Sequence, residues 1–330
     1  MDKAPATSKR FPVWLLWSLR VAVLVGLLTY ILHGLDFGKI AETLGKLPPQ
    51  VFIYGLVLLA LGQTFQALRW KVLLHDKSIR FLDCLAFISV GAALNLVSPS
   101  GLLSDGTVAY WMGKRNKMVL RTMSTLLASR IIGVIAMAIL FAITFPSHLW
   151  VFGKLSFGWA PTKAIFMGIG LLSIITVTIV ARRNKERVSR LLHQALPSLK
   201  SPKALALAIL LSLGVQLCLF TMMYLGFRAM EIPVGFLDIL FFAPIMTFVG
   251  MVPMSIGGIG VRESLSIFFF TMLPGVAKEQ LLAHAAYGYV LMAGMALVNL
   301  AFAFVVLGKP ESGKNELEKN PEARGESKAS

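Results

Sequence analysis

The sequence predicts an all-α integral membrane protein, a polytopic helix bundle with six full spans and two re-entrant or short-span hairpins. Of its 330 residues, 56% are hydrophobic and only 15% are charged, whereas soluble domains carry about a quarter charged residues. Apolar stretches of spanning length recur along the whole chain. Because the basic residues collect at the ends of these stretches, the net charge of +16 reflects membrane orientation and not nucleic-acid binding.

Six apolar stretches are predicted to cross the bilayer. The first lacks a small-residue cleavage site after it, so we expect it to stay as a span and not to act as a signal peptide. Two cysteines, both in apolar segments, make no disulfide framework. The predicted spans are 13–32, 51–67, 122–145, 164–181, 204–227 and 284–307.

The distribution of positive charge orients these spans. The loops and termini assigned to the inside hold 23 of the 32 Lys and Arg residues, as expected for a multi-pass protein of the cytoplasmic (inner) membrane. Both termini, 1–12 and the polar, disordered tail 308–330, are therefore predicted to be cytoplasmic. A basic amphipathic linker, 182–203, is expected to lie on the inner membrane surface.

Two further apolar stretches must enter and leave the membrane on one side. The stretch 81–112 lies between two basic inside loops, and a turn is expected at Ser98-Pro99-Ser100-Gly101. About sixteen residues precede that turn, and they reach roughly 24 Å, short of the roughly 30 Å hydrocarbon core. The stretch 236–273 is the second such hairpin and enters from outside. Two short full spans would give the same sidedness, so both forms stay open.

The order span, span, hairpin, span occurs twice, over 13–145 and over 164–307. The first copy begins inside and the second outside, which predicts an inverted-topology repeat within a single transmembrane domain, 13–307. At an offset of 155 residues, Phe81-Leu82-Asp83 matches Phe236-Leu237-Asp238. Inverted repeats with broken helices near the midplane are typical of transporters, whose substrate site lies where the repeats meet.

The second hairpin contains a glycine-rich break, Pro253 to Glu263. Glycines let a backbone approach a ligand closely, and the free N–H groups of a half-helix beginning near Val261 favour an anion. Arg262 adds a planar fork suited to phosphate, while Glu263 is expected to balance it, contact a cationic headgroup or relay a proton. A structural Arg–Glu pair at a hairpin tip is the alternative. The candidate substrate-binding residues here are Ser255, Gly257, Gly258, Gly260, Arg262 and Glu263.

The first hairpin offers fewer polar groups. Its candidates are Asn95, Ser100 and Asp105, with Arg130 on the following span as a partner for Asp105. Helix capping is an equally good explanation for the serine and the aspartate.

Signs of an enzyme are absent from the sequence. There is no P-loop, His-Glu-x-x-His or Gly-x-Ser-x-Gly motif, and no acidic cluster would hold a metal with a diphosphate. We therefore expect no catalytic activity, no cofactor and no metal.

Three motifs resemble those of one family, the transmembrane, flippase-like domain of lysylphosphatidylglycerol synthases, which also occurs as free-standing proteins. They are Leu68-Arg69-Trp70-Lys71-Val72-Leu73-Leu74, Asn95 to Pro99, and Pro253 to Glu263. The first motif brings Arg69 among the candidate substrate-binding residues. The sequence departs from the family where Ser104-Asp105-Gly106 replaces a Gly-Glu pair and where Ser129-Arg130 replaces a Glu-Arg pair.

The resemblance implies translocation of a lipid with a polar headgroup. The candidates are an anionic or aminoacylated phospholipid and a polyprenyl-phosphate-linked sugar, with a lipid synthase as a possible partner. Because the aminoacyl-transferring domain is missing, the chain is not expected to make the lipid. A membrane-embedded transferase acting on a lipid-linked substrate and a non-transporting accessory protein of a lipid synthase are the alternatives.

Overall fold

A computed structural model describes residues 37–76, 79–95, 101–149, 201–250 and 261–307. Within these ranges every regular element is helical, and a short 3-10 helix, Phe145–His148, continues the fifth α-helix. The α-helices are α1 Phe37–Gly45, α2 Pro49–Leu74, α3 Phe81–Leu94, α4 Gly101–Arg115, α5 Val119–Thr144, α6 Pro202–Ala229, α7 Phe236–Gly250, α8 Val261–Phe270 and α9 Lys278–Leu307.

Four helices, α2, α5, α6 and α9, are long and apolar enough to cross a membrane. They overlap four of the predicted spans. The other two predicted spans, the linker 182–203 and both termini lie outside the described residues, so the full count of six spans stays a prediction.

Helix α1 lies between the first two predicted spans, 13–32 and 51–67, where the sequence shows no spanning pattern. Its sequence contains strong helix formers, and Lys46 Nζ pairs with Glu42 Oε1 at 2.6 Å with i, i+4 spacing. Leu44 and the buried Leu47 pack against the apolar core, and α1 contacts α9. Tertiary packing therefore orders a segment that has no spanning signal of its own.

The remaining helices are short and form two hairpins. Helix α3 has 14 residues and α7 has 15, so each is about 21–23 Å long, less than the roughly 30 Å hydrocarbon core. Helix α3 packs against α4, and α7 packs against α8. The expected turn of the first hairpin falls between α3 and α4, and the glycine-rich break falls between α7 and α8. Most of both connections, 96–100 and 251–260, lies outside the described residues.

The hairpins interlock two groups of helices, α2–α5 and α6–α9. The first arm of the first hairpin, α3, packs against α9 of the other group. The first arm of the second hairpin, α7, packs correspondingly against α5. Helices α2 and α6 form the most extensive helix pair and join the groups at the centre.

The repeated Phe-Leu-Asp triplet occupies the start of both first arms but makes different contacts. Asp83 accepts a hydrogen bond from Arg80 Nε at 3.0 Å, within its own group. Asp238 accepts one from the Gly235 backbone at 2.8 Å and lies 3.0 Å from His148 Nε2. Because His148 follows α5, Asp238 links the two groups, whereas the hydrogen bonds of Asp83 to side chains of the described residues stay within its own group.

Helix α9 is held against α6 by a buried histidine. The His284 ring stacks on Phe227 with centroids 3.9 Å apart, and its Nε2 lies 3.0 Å from the Met223 carbonyl oxygen. A β-carbon added at Gly226 would lie 2.9 Å from that ring nitrogen, so this close approach requires glycine. The contact joins α6 to α9, which carries part of the site described below.

Candidate functional site

The first hairpin carries an ion pair with the span that follows it. The Asp105 carboxylate on α4 accepts a hydrogen bond from Arg130 Nη2 on α5, the partnership expected from the sequence. A β-carbon added at Gly91 of α3 would lie 3.8 Å from Asp105 Oδ1. The carboxylate therefore lies close to α3 as well, and both charged side chains are partly buried.

Arg69 on α2 is buried, with only 7% of its surface exposed. Its Nη1 donates to Ser212 Oγ on α6 at 2.7 Å, and the Ser212 hydroxyl donates in turn to the Ala208 carbonyl oxygen at 2.8 Å. Its Nε is buried without an acceptor in the described part of the chain. A guanidinium is always charged in proteins, so this is a buried positive charge held by one neutral hydroxyl.

The two guanidiniums lie near each other. Gly133 is one turn along α5 from Arg130, and a β-carbon added there would lie 3.6 Å from Arg69 Nη1. The positive charges of Arg69 and Arg130 are close enough to repel. We call Arg69, Asp105, Arg130 and Ser212 the first-hairpin cluster.

The second hairpin also carries a carboxylate that contacts the following span. Glu263 on α8 is buried, and its Oε1 accepts a hydrogen bond from the Tyr289 hydroxyl on α9. Arg262 is exposed, and its Nη1 lies 3.8 Å from Met292 Sδ, also on α9. We call Arg262, Glu263, Tyr289 and Met292 the second-hairpin cluster.

The two clusters lie near opposite ends of α2. The Tyr287 hydroxyl, two residues before Tyr289, donates to the Val51 carbonyl oxygen near the start of α2 at 3.1 Å. Leu291, between Tyr289 and Met292, lies beside Gly55 of α2, because a β-carbon added at Gly55 would lie 2.5 Å from Leu291 Cδ1. Arg69 lies about four turns further along α2, roughly 21 Å along the helix axis. The last residue of α9, Leu307, packs against the apolar cluster that contains Trp70. The clusters are therefore separated by roughly 21 Å along the bundle, about two thirds of the roughly 30 Å hydrocarbon core.

The other predicted site residues are not placed in either cluster. Asn95 ends α3, and its backbone amide donates to the Gly91 carbonyl oxygen at 2.9 Å. The glycine-rich anion site stays a prediction because its residues lie outside the described part of the chain, as does the serine of the first break. These residues are Ser100, Ser255, Gly257, Gly258 and Gly260.

Sequence reasoning missed the neutral partners, Ser212 and Tyr289. Each is a polar residue in an otherwise apolar span, and that was the available signal. Many such residues only bond to their own helix, as Thr144 does to the Leu140 carbonyl oxygen at 3.1 Å. Which of them faces a charge on another helix depends on helix packing.

The chemistry of the clusters suits recognition of a charged group. Guanidiniums bind phosphate in planar, bidentate geometry, and a buried carboxylate beside a phenol accepts hydroxyl or ammonium donors. In the described part of the chain no group of three or more His, Cys, Asp and Glu residues could hold a metal ion.

Long apolar helices and short apolar hairpins together define a multi-pass membrane protein whose helices also carry buried charged side chains. The model of one family, the transmembrane region of lysylphosphatidylglycerol synthase, matches residues 17–307. The chain therefore belongs to this family, which confirms the resemblance seen in its motifs and places it among membrane proteins involved in lipid handling. A search of curated proteins found no match.

Proposed function

We propose that the protein moves a lipid with a polar headgroup from one leaflet of the membrane to the other. The observation that carries this proposal is the presence of two charged clusters, one beside each hairpin, separated by roughly 21 Å along the bundle. Intramembrane charges are costly and commonly mark a substrate pathway. One cluster in each leaflet would give a headgroup a polar contact at both ends of its path.

The correspondence between the hairpins supports an inverted-repeat transporter plan. In the first group, the carboxylate and its partner are 25 residues apart, and in the second group they are 26 apart. The helix packing follows the same correspondence. The first arm of each hairpin packs against the last span of the other group, α3 against α9 and α7 against α5. In such transporters the substrate binds where the repeats meet, and movement of one repeat against the other alternates access.

In this proposal the chain binds and releases the headgroup without covalent chemistry. The first hairpin opens to the cytoplasmic leaflet, as its flanking basic residues predict, and the second opens to the outer leaflet. The acyl chains stay in lipid while the headgroup passes between clusters, which replace part of its hydration shell. The direction of lipid movement is set by the difference in lipid concentration between the leaflets, and no nucleotide is used.

The test is lipid movement in proteoliposomes made with the purified protein. Headgroup-labelled phospholipid is placed in one leaflet, and its arrival in the other is followed by chemical quenching. We expect Arg262→Ala and Glu263→Gln each to reduce the protein-dependent rate by about tenfold or more, the cost of losing a charge-assisted hydrogen bond of about 1.5–3 kcal/mol.

Arg228→Ala is the matched control, because Arg228 is an exposed arginine in the last turn of α6. It should leave the rate unchanged. Folding of every variant is checked by size-exclusion chromatography, and the recovered lipid is checked by mass spectrometry. Unchanged movement in both site variants would remove the second-hairpin cluster from the pathway. A chemically altered lipid would favour a transferase.

A further inference from the structure

We propose that the first-hairpin cluster binds the phosphate of a headgroup with net negative charge and discriminates against an aminoacylated headgroup. This inference rests on the proposed function and specifies the substrate class of the same pathway. Its basis is an imbalance of charge within the cluster, where two guanidiniums face one carboxylate in the described part of the chain.

Asp105 pairs with Arg130, so Arg69 is the guanidinium that lacks a counter-charge in the described part of the chain. Among the described residues, the other acidic side chains near this end of the bundle are also engaged, Asp76 with Arg121 and Asp83 with Arg80. Arg69 forms no ion pair within the described residues and bonds to a neutral hydroxyl. A buried guanidinium without a counter-charge is strongly disfavoured, so an anion from outside the chain would stabilise it.

The geometry leaves one edge of Arg69 for that anion. Nη1 is occupied by Ser212, whereas Nε has no acceptor in the described part of the chain. Nε and Nη2 form a planar pair of donors, and two oxygens of one phosphate match such a pair. Arg130, whose side chain is 35% exposed, lies beside Arg69 and offers the approach from the surface.

The same arrangement predicts weaker binding of an aminoacylated headgroup. A headgroup that carries an added ammonium would bring a further positive charge beside Arg69 and Arg130. Asp105 is already neutralised by Arg130, so it offers little compensation. The group that the cluster recognises is a phosphate. A lipid headgroup and inorganic phosphate both contain this group, so the experiment compares the two.

Native mass spectrometry of the delipidated protein in detergent tests this inference. Four probes are titrated separately: phosphatidylglycerol, phosphatidylcholine, lysylphosphatidylglycerol and inorganic phosphate. We expect one saturable phosphatidylglycerol site, about tenfold weaker binding of the other two lipids, and no comparable binding of inorganic phosphate, a tenfold difference corresponding to about 1.4 kcal/mol. Arg69→Gln should reduce phosphatidylglycerol affinity by about the same factor.

Arg69→Lys keeps the charge but loses the planar fork, so partial retention of phosphatidylglycerol binding is expected. Arg228→Gln, at the exposed end of α6, should bind like the unsubstituted protein. Since Arg69→Gln removes a buried charge, its folding is checked by thermal unfolding. If it fails to fold, the comparison of Arg69→Lys with the unsubstituted protein decides the question.

Equal phosphatidylglycerol affinity in the Arg69 variants, or preference for lysylphosphatidylglycerol, would overturn the inference. If inorganic phosphate bound as tightly as phosphatidylglycerol, the conclusion that a lipid supplies the phosphate would be overturned. This assay involves no transport, so its failure leaves the proposed translocation standing. Phosphatidylglycerol binding without movement in proteoliposomes would instead contradict the proposed function and leave the binding site intact.

Discussion

The two hairpins share an architecture and differ in chemistry. In both, a carboxylate on the second arm contacts a side chain on the following span, Asp105 with Arg130 and Glu263 with Tyr289. The first carboxylate meets a cation and the second meets a neutral phenol. The first cluster also includes an additional buried arginine from α2, whereas the arginine of the second cluster is exposed.

This difference distinguishes where a headgroup can bind from which charge the headgroup should carry. The matching contacts set where a polar group can be held at each end of the bundle. The partner of each carboxylate then sets its charge balance, positive in the first cluster and balanced in the second. A headgroup would therefore be attracted to the first cluster by charge and to the second mainly by hydrogen bonding.

The largest effect is expected from exchanging charges in the first hairpin. Asp105→Arg and Arg130→Asp should each place two like charges in contact and lower the free energy of unfolding by about 1–3 kcal/mol. Each should also lower lipid movement by about tenfold or more, and the double exchange should recover part of both losses because opposite charges meet again. Chemical unfolding and the proteoliposome assay give the two readouts.

The matched control is the exposed pair Glu42 and Lys46, for which an exchange should change stability by less than about 0.5 kcal/mol. A double exchange at positions 105 and 130 that is as damaging as the sum of the single changes would show that these residues do not act as a pair.

A smaller effect is expected from Tyr289→Phe in the second hairpin. The change removes the phenol that donates to the buried Glu263 carboxylate, and should cost about 1 kcal/mol of stability and reduce lipid movement severalfold. Tyr110→Phe, at an exposed position on α4, should change neither. If Tyr289→Phe matches the loss in Arg130→Asp, the two hairpins are chemically more alike than their partners indicate.

The smallest effect concerns the repeated Phe-Leu-Asp triplets. Asp238→Asn weakens the contact with buried His148 and should cost about 0.5–1 kcal/mol. Asp83→Asn weakens a pair with the largely exposed Arg80 and should cost less than about 0.5 kcal/mol. Thermal unfolding of both variants compares them directly. Equal losses would remove the special role given to the second triplet in linking the groups.

The local features of the site were accessible from the sequence because charges and breaks in apolar runs are rare. The Asp105–Arg130 pair is such a case, because each residue is a charge within an otherwise apolar segment. The pairing of Arg69 with Ser212 was not predicted, because their helices are separated by much of the chain and only their packing decides which polar residue faces the arginine. The same holds for Tyr289 and Glu263.

The sequence by itself determined the class of protein, the membership of its family, the four described spans and the location of both hairpins. These follow from the cost of exposing backbone and charge to lipid, a cost that acts on each segment separately. Tertiary structure alone decided that α1 is a packed helix, that the hairpins interlock across the two groups, and that Arg69 is buried with no carboxylate partner among the described residues. Those outcomes depend on the rotation and register of helices against one another, which a hydrophobic pattern leaves open.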